Sequence, residues 1–232
     1  MIAQSVALSP ALCALVLAGF AGARWLSARV GHPPWASPVL VTALAVIGVL
    51  AVTGLPLATF TAATAPLRWL LGAALVALAT VIDANRAVLR VNGRAVVVAA
   101  VGGALTGLAT AVAAARLLAI DGVVAAALVT KSVTTPFTVA IMAHVGGPVA
   151  LAAAFSVVTG VVGALLVPPV LAALGLGERV GAALALGVSS HIVGTDWLVR
   201  RDAGAAGFAA LAFVVVGVVA AIAVPLLWRL LA

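Results

Sequence analysis

Apolar runs of about twenty residues recur along the chain from residue 5 to residue 230, and they leave few folds open. A helix rising about 1.5 Å per residue needs roughly 20 residues to cross a hydrocarbon core of about 30 Å. The runs are continuous and do not alternate. Helices, which satisfy their own backbone hydrogen bonds, are therefore the expected spanning element, and barrel strands are not. Composition agrees, since 66% of the 232 residues are hydrophobic and 7% are charged, which excludes a soluble globular domain of ordinary make-up. The sequence predicts an all-α, polytopic integral membrane protein.

Eight membrane segments are predicted, at about 5–24, 37–55, 66–83, 95–118, 122–143, 148–174, 180–199 and 204–230. Polar or Gly/Pro-rich punctuation divides them: "GHPPWASP", "TGLPLATFTAATAP", "NGR", "HVGGP", "GLGER" and "RRDAG". No linker is long enough to separate soluble domains, so residues 1–232 read as one transmembrane domain. Residues 1–23 are expected to be the first span and not a cleaved signal, because no Lys or Arg precedes Arg24. Cys13 is the only cysteine, so no intrachain disulfide can form.

The formal charge of +7 comes from arginines scattered singly between apolar runs, a pattern of topology signals and lipid-headgroup contacts, not of a nucleic-acid surface. With the N-terminus outside the cell (inner) membrane, the cytoplasmic loops carry Arg24, Arg29, Arg86, Arg90, Arg94, Arg200 and Arg201. The opposite side carries Arg68, Arg116, Arg179 and Arg229. A weak echo aligns "LLGAALVALATVIDANRAVLR" with "ALGVSSHIVGTDWLVRRDAGA" and suggests repeat halves of about 1–118 and 119–232. An inverted repeat would require an odd number of crossings per half, and hence one re-entrant segment.

Lys131 is the tenth residue of the segment 122–143, near the bilayer midplane. An unpaired cation at that depth costs about 2.5–3.5 kcal/mol, so it needs a cavity, a partner or a bound anion, unless the side chain snorkels. In "TKSVTTPFT" the proline disfavours the helical turn before it, so a helix is expected to restart with Thr135 at the N-cap and Pro136 at the first helical position. Its free N–H groups, with Ser132 and Thr134, would suit a carboxylate beside Lys131. The alternative is a proline kink whose threonines bond back to their own helix.

The second constellation is "GVSSHIVGTDW", residues 187–197. Ser190, His191 and Thr195 are too polar for a lipid-facing helix, and a break at Gly194 would let Thr195 or Asp196 cap a second half-helix. His191 is the natural proton-carrying group, although packing against a neighbouring helix is an open alternative. Asp196 is either the counter-ion of Lys131 or a loop acid beside Arg200 and Arg201. Two segments are thus predicted to be broken or re-entrant. Asp83, Asn85, His32 and His144 read as loop or interfacial residues, and "GGALTGLATA" as a helix-packing stripe. Nothing reads as a nucleotide site, a hydrolytic triad or a metal cluster; no enzyme activity, cofactor or metal is expected.

The motifs "TKSVTTPFTVAIMAHVGGP" and "SSHIVGTDW" resemble those of the LrgB/CidB family: K-S-V-T-T-P, a Gly-Gly turn, then S-H-x-x-G-T. The resemblance is strong from about residue 120 onward and weaker before, where "LLGAALVALA" is similar to the family's "LLGPATVALA". Thr130 stands where proline is usual, Ala140 where glutamate is frequent, and Asp196 where a small residue is usual. The resemblance implies one of two roles. One is transport of small monocarboxylates such as glycolate, glycerate or pyruvate. The other is an antiholin-like modulation of murein hydrolase export and cell lysis with an LrgA-type membrane subunit. The residues favour the carrier. Lys131, Ser132, Thr134, Thr135, Ser190, His191 and Thr195 are expected to bind a small carboxylate anion, with His191 or Asp196 coupling protons, in a protein that forms homo-oligomers in the lipid bilayer.

Overall fold

The computed structural model describes residues 2–231; the side chains of residues 2–6, 75, 78 and 229–231 are outside the description. Among the described residues it contains ten α-helices and no strand. They are α1 (Ile2–Arg29), α2 (Pro38–Thr53), α3 (Leu57–Ala63), α4 (Ala65–Ala84), α5 (Arg86–Leu117), α6 (Gly122–Leu128), α7 (Thr135–Val145), α8 (Val149–Ala173), α9 (Arg179–Val199) and α10 (Ala203–Leu231). Six of them, α1, α4, α5, α8, α9 and α10, are long and apolar enough to cross a membrane. The chain divides into two compact units, Met1–Val76 and Ala77–Ala232.

In the first unit α1 packs on α2 and α3. Ser9 donates to the Ala63 carbonyl at 2.7 Å, and Gly19 lets the methyl of Thr42 approach the α1 backbone. The α2 helix stops at Gly54, whose φ of 66° gives the left-handed cap that residues with a side chain adopt reluctantly. The polar stretch after it holds the short helix α3.

The second unit is built on α5, α8 and α10. The start of α10 lies by the start of α5, where Gly207 backs onto Asn85 and Val88; Arg116 and Leu227, near the two C-terminal ends, flank one groove. α5 and α10 therefore run in the same direction, from a face I to a face II, and α8, between them in the chain, runs back. The stretch "NGR", expected to precede the fourth segment, lies inside α5. Arg86, Arg90 and Arg94 recur every fourth residue and so share one helix side, and a single glycine costs a helix only about 1 kcal/mol.

Residues 122–145 do not cross. The α6 helix begins four residues after α5 ends, and Ser132 then lies against Gly107, ten residues back along α5. From there α7 runs back toward face II: Phe137 meets Gly217 while Gly147 meets Trp228, farther along α10. The α9 helix also doubles back. His191 has φ 39° and ψ −126°, a region non-glycine residues avoid, and it separates an arm of residues 179–190 from one of 192–199. Arg179 forms a two-pronged ion pair with Asp202, although 23 residues separate them. A straight helix would hold them roughly 34 Å apart. Hydrogen bonds from Arg179 and then from the Ala205 N–H hold the Asp202 carboxyl down at about 2, so the clasp stays charged at neutral pH.

Two of the eight predicted crossings are thus helical hairpins, one entering from face II and one from face I. The sequence could not separate the cases, since a 21-residue, mainly apolar stretch makes either one crossing or two half-depth arms. Arg179, expected opposite Arg200 and Arg201, shares face I with them, as do Arg86, Arg90 and Arg94, while Arg116 is at face II. The side chain of Arg229 lies outside the described residues. The geometry has a direct test. In a Cys13→Ala background, single cysteines at Gly177 and Arg201 are expected to react with an impermeant maleimide from one side of the membrane, and cysteines at Asp121 and His144 from the other. Labelling of Gly177→Cys and Arg201→Cys from opposite sides would make α9 a crossing helix.

Candidate functional site

The tip of the first hairpin is residues 129–134. Thr134, in extended conformation (φ −62°, ψ 144°), caps α7, with Thr135 as the first helical residue and proline in the first turn. The cap thus falls one residue before the expected Thr135, because proline tolerates either of the first two helical positions, where no N–H is needed. Thr138, one turn into α7, donates to the carbonyls of Thr130 (3.2 Å) and Val133 (3.1 Å) and so closes the loop on itself. Lys131 is half-buried and its Nζ donates to Ser132 Oγ at 3.1 Å. Among the described residues no carboxylate comes within ion-pair distance of Lys131.

The tip of the second hairpin is Ser189, Ser190 and His191. Ser189 donates to the Ala185 carbonyl at 2.7 Å, so the 3.1 Å contact between the two serines is donated by Ser190. Thr195 donates to the carbonyl of His191, four residues earlier, at 2.8 Å, a bond back to its own helical arm. His191 is 2% exposed, and its Nε2 lies 3.0 Å from the Ser156 carbonyl. A carbonyl has no proton to give, so Nε2 carries the hydrogen.

Ser156 joins the two tips. It is fully buried near the middle of α8, and its Oγ donates to the Val133 carbonyl at 2.5 Å. The 3.4 Å contact with Thr135 Oγ1 is therefore donated by Thr135. One residue thus engages the first hairpin through its side chain and the second through its carbonyl. The approach depends on missing side chains. A Cβ at Gly160 would stand 2.5 Å from the His191 ring, and one at Gly163 would stand 2.5 Å from Ser190 Oγ. From α5, Gly103 faces Val188 and Gly107 faces Ser132, so the stripe expected to serve helix packing faces both tips.

Of the expected site residues, Thr135 and His191 meet at Ser156, Lys131 and Ser132 are paired beside α5, Thr134 and Ser190 are buried in the tips, and Thr195 is buried on the outgoing arm of α9. Asp196 is on the outer arm, where Arg200 binds its carboxylate at 3.2 Å; it is the loop acid of the two readings. Ala140 is exposed on α7. Sequence reasoning missed Ser156, Thr138, Gly160 and Gly163. Only the small-residue spacing of "FSVVTGVVG", with Ser156, Gly160 and Gly163 on one helix side, could have pointed to them. Replacing Ser156 by Ala removes two hydrogen bonds and leaves the backbone acceptor for His191. The expected cost is about 1–2 kcal/mol of stability, read as a lower unfolding temperature in detergent; an unchanged temperature would show that the tips do not depend on this hydroxyl.

The family model of the LrgB-like family matches residues 16–230. A protein of Haemophilus influenzae described as uncharacterized is 25% identical over 211 residues, which cover 89% of this chain and 91% of that protein. The uncharacterized protein YwbG of Bacillus subtilis is 28% identical over 163 residues, 70% of this chain and 72% of its own length. No solved structure matches. With nearly its whole length matched by the model, the hairpin motifs included, the chain belongs to the LrgB-like family.

Proposed function

We propose that the protein carries small monocarboxylates of the glycolate, glycerate or pyruvate type across the membrane, one anion at a time, at the place where the hairpin tips meet. The observation that carries this reading is Lys131: a half-buried cation with no acid partner among the described residues, at the tip of a hairpin that reaches only half-way into the unit. An anion supplies the missing charge. Ser132 and the free N–H groups of the first turn of α7 supply hydrogen bonds, and the second tip closes the site from the other face. A pore-forming role gives no use to such a cation.

Face I, which collects Arg86, Arg90, Arg94, Arg179, Arg200 and Arg201, is the cytoplasmic face on this reading. Of the two groups expected to couple protons, His191 is the better placed, because Arg200 engages Asp196.

Vesicles containing the purified protein are expected to take up labelled glycolate or pyruvate saturably, and Lys131→Ala to reduce that uptake at least tenfold. Equal uptake by the variant would remove the lysine from the mechanism. Leakage of larger solutes, with no saturable uptake, would favour the antiholin-like role with an LrgA-type subunit. His191→Gln keeps a donor for the Ser156 carbonyl but has no titrating ring. It is expected to abolish stimulation by an inward proton gradient; stimulation that persists would exclude the histidine as the coupling group.

A further inference from the structure

A largely enclosed cavity of about 20 Å³ adjoins Ser132. Its wall is formed by Leu105, Gly107 and Leu108 of α5, Val129 and Val133 of the first hairpin, and residues of α10 that include Val216 and Val224. Among the described residues, Ser132 is the only polar side chain on that wall. A volume of this size could hold one water, but a buried water needs about 2–4 polar partners and the wall offers one hydroxyl. The cavity is therefore a largely apolar recess. It opens beside a hydroxyl that lies 3.1 Å from the Lys131 ammonium.

We propose that this recess receives the terminal methyl group of a three-carbon monocarboxylate, so that the site selects acids ending in CH3 over those ending in CH2OH. The inference rests on the carboxylate reading above and deepens it. A carboxylate held by Lys131 and Ser132 has its tail beside the wall that carries Ser132. A methyl group there leaves no polar atom unsatisfied. A terminal hydroxyl would give up its water and find only aliphatic carbon, because Ser132 is engaged by the carboxylate and the ammonium. Two-carbon acids would leave the recess empty and forgo the contact.

Unlabelled acids competing with labelled glycolate for uptake into vesicles of the full chain test this with matched pairs. Lactate and glycerate differ only in the terminal hydroxyl, as do pyruvate and hydroxypyruvate. Lactate and pyruvate are expected to compete at least about tenfold more strongly than their hydroxylated partners. A Cβ added at Gly107 would lie 3.6 Å from Ser132 Oγ, an ordinary contact, so Gly107→Ala fills part of the recess without displacing its neighbour. That variant is expected to lower the preference for lactate over glycolate, and Val216→Thr, which puts a hydroxyl in the wall, to narrow the gap between lactate and glycerate. Equal competition by lactate and glycerate in the unaltered protein, or a lactate preference untouched by Gly107→Ala, would overturn the recess while leaving a monocarboxylate carrier. Failure of every acid to compete, and of glycolate to enter, would overturn the carrier reading itself.

Discussion

Breaking a helix within apolar surroundings frees backbone carbonyls that water cannot reach, and each needs a donor from the protein. The second unit has two such breaks, both beside Ser156. At the first tip the Val133 carbonyl receives hydrogen bonds from both Ser156 and Thr138, and the Thr130 carbonyl shares the Thr138 hydroxyl. At the second, Thr195 binds the His191 carbonyl while the imidazole donates into α8. The threonines and serines that make the two motifs so polar are thus largely consumed in holding the chain reversals. Lys131, bonded to Ser132, has no carboxylate partner among the described residues, and Thr130 Oγ1 and His191 Nδ1 are buried without a hydrogen-bond partner.

Those hydrogen bonds need backbones at close range, and glycine provides it. On α8, Gly160 and Gly163 leave room for His191 and Ser190; on α5, Gly103 and Gly107 do the same for Val188 and Ser132; on α10, Gly217 receives the ring of Phe137. Gly187 goes furthest, since a Cβ there would stand 2.7 Å from the Ala209 Cα. Around these contacts an aliphatic core containing Val96, Met142, Leu184, Leu211 and Val224 fills the space between the hairpins and the long helices. In a membrane, where lipid tails are as apolar as leucine, such small-residue packing is what gives helices a reason to associate.

The break at 129–134 was legible because a lysine and a proline are anomalous in an apolar run; the break in the second motif, expected at Gly194 because glycine weakens a helix, falls three residues earlier at His191. The reversal of direction at each break was not legible. It is fixed by Arg179 pairing with Asp202 across 23 residues and by Gly147 meeting Trp228, contacts that leave no periodicity in the sequence. Ser156 was hidden for a related reason. A lone serine in an apolar helix usually bonds back to its own carbonyls, so only the position of Val133, fixed by another part of the chain, reveals what it does.

Each hairpin brings one helix end of either sign to its tip: α6 arrives with its C-terminus and α7 leaves with its N-terminus, and the two arms of α9 repeat the arrangement. Paired antiparallel dipoles nearly cancel beyond a few ångströms, so the hairpins exert little field at a distance, and on the carboxylate reading they would act on an anion only once it has arrived. Attraction at a distance is left to fixed charges, Lys131 within the unit and the arginines gathered at face I. On that reading, capture and recognition would fall to different parts of the molecule. Added salt screens the exposed arginines far more than the half-buried lysine, so for an anion carrier it would act on the rate at which anions arrive and hardly at all on which anion is kept.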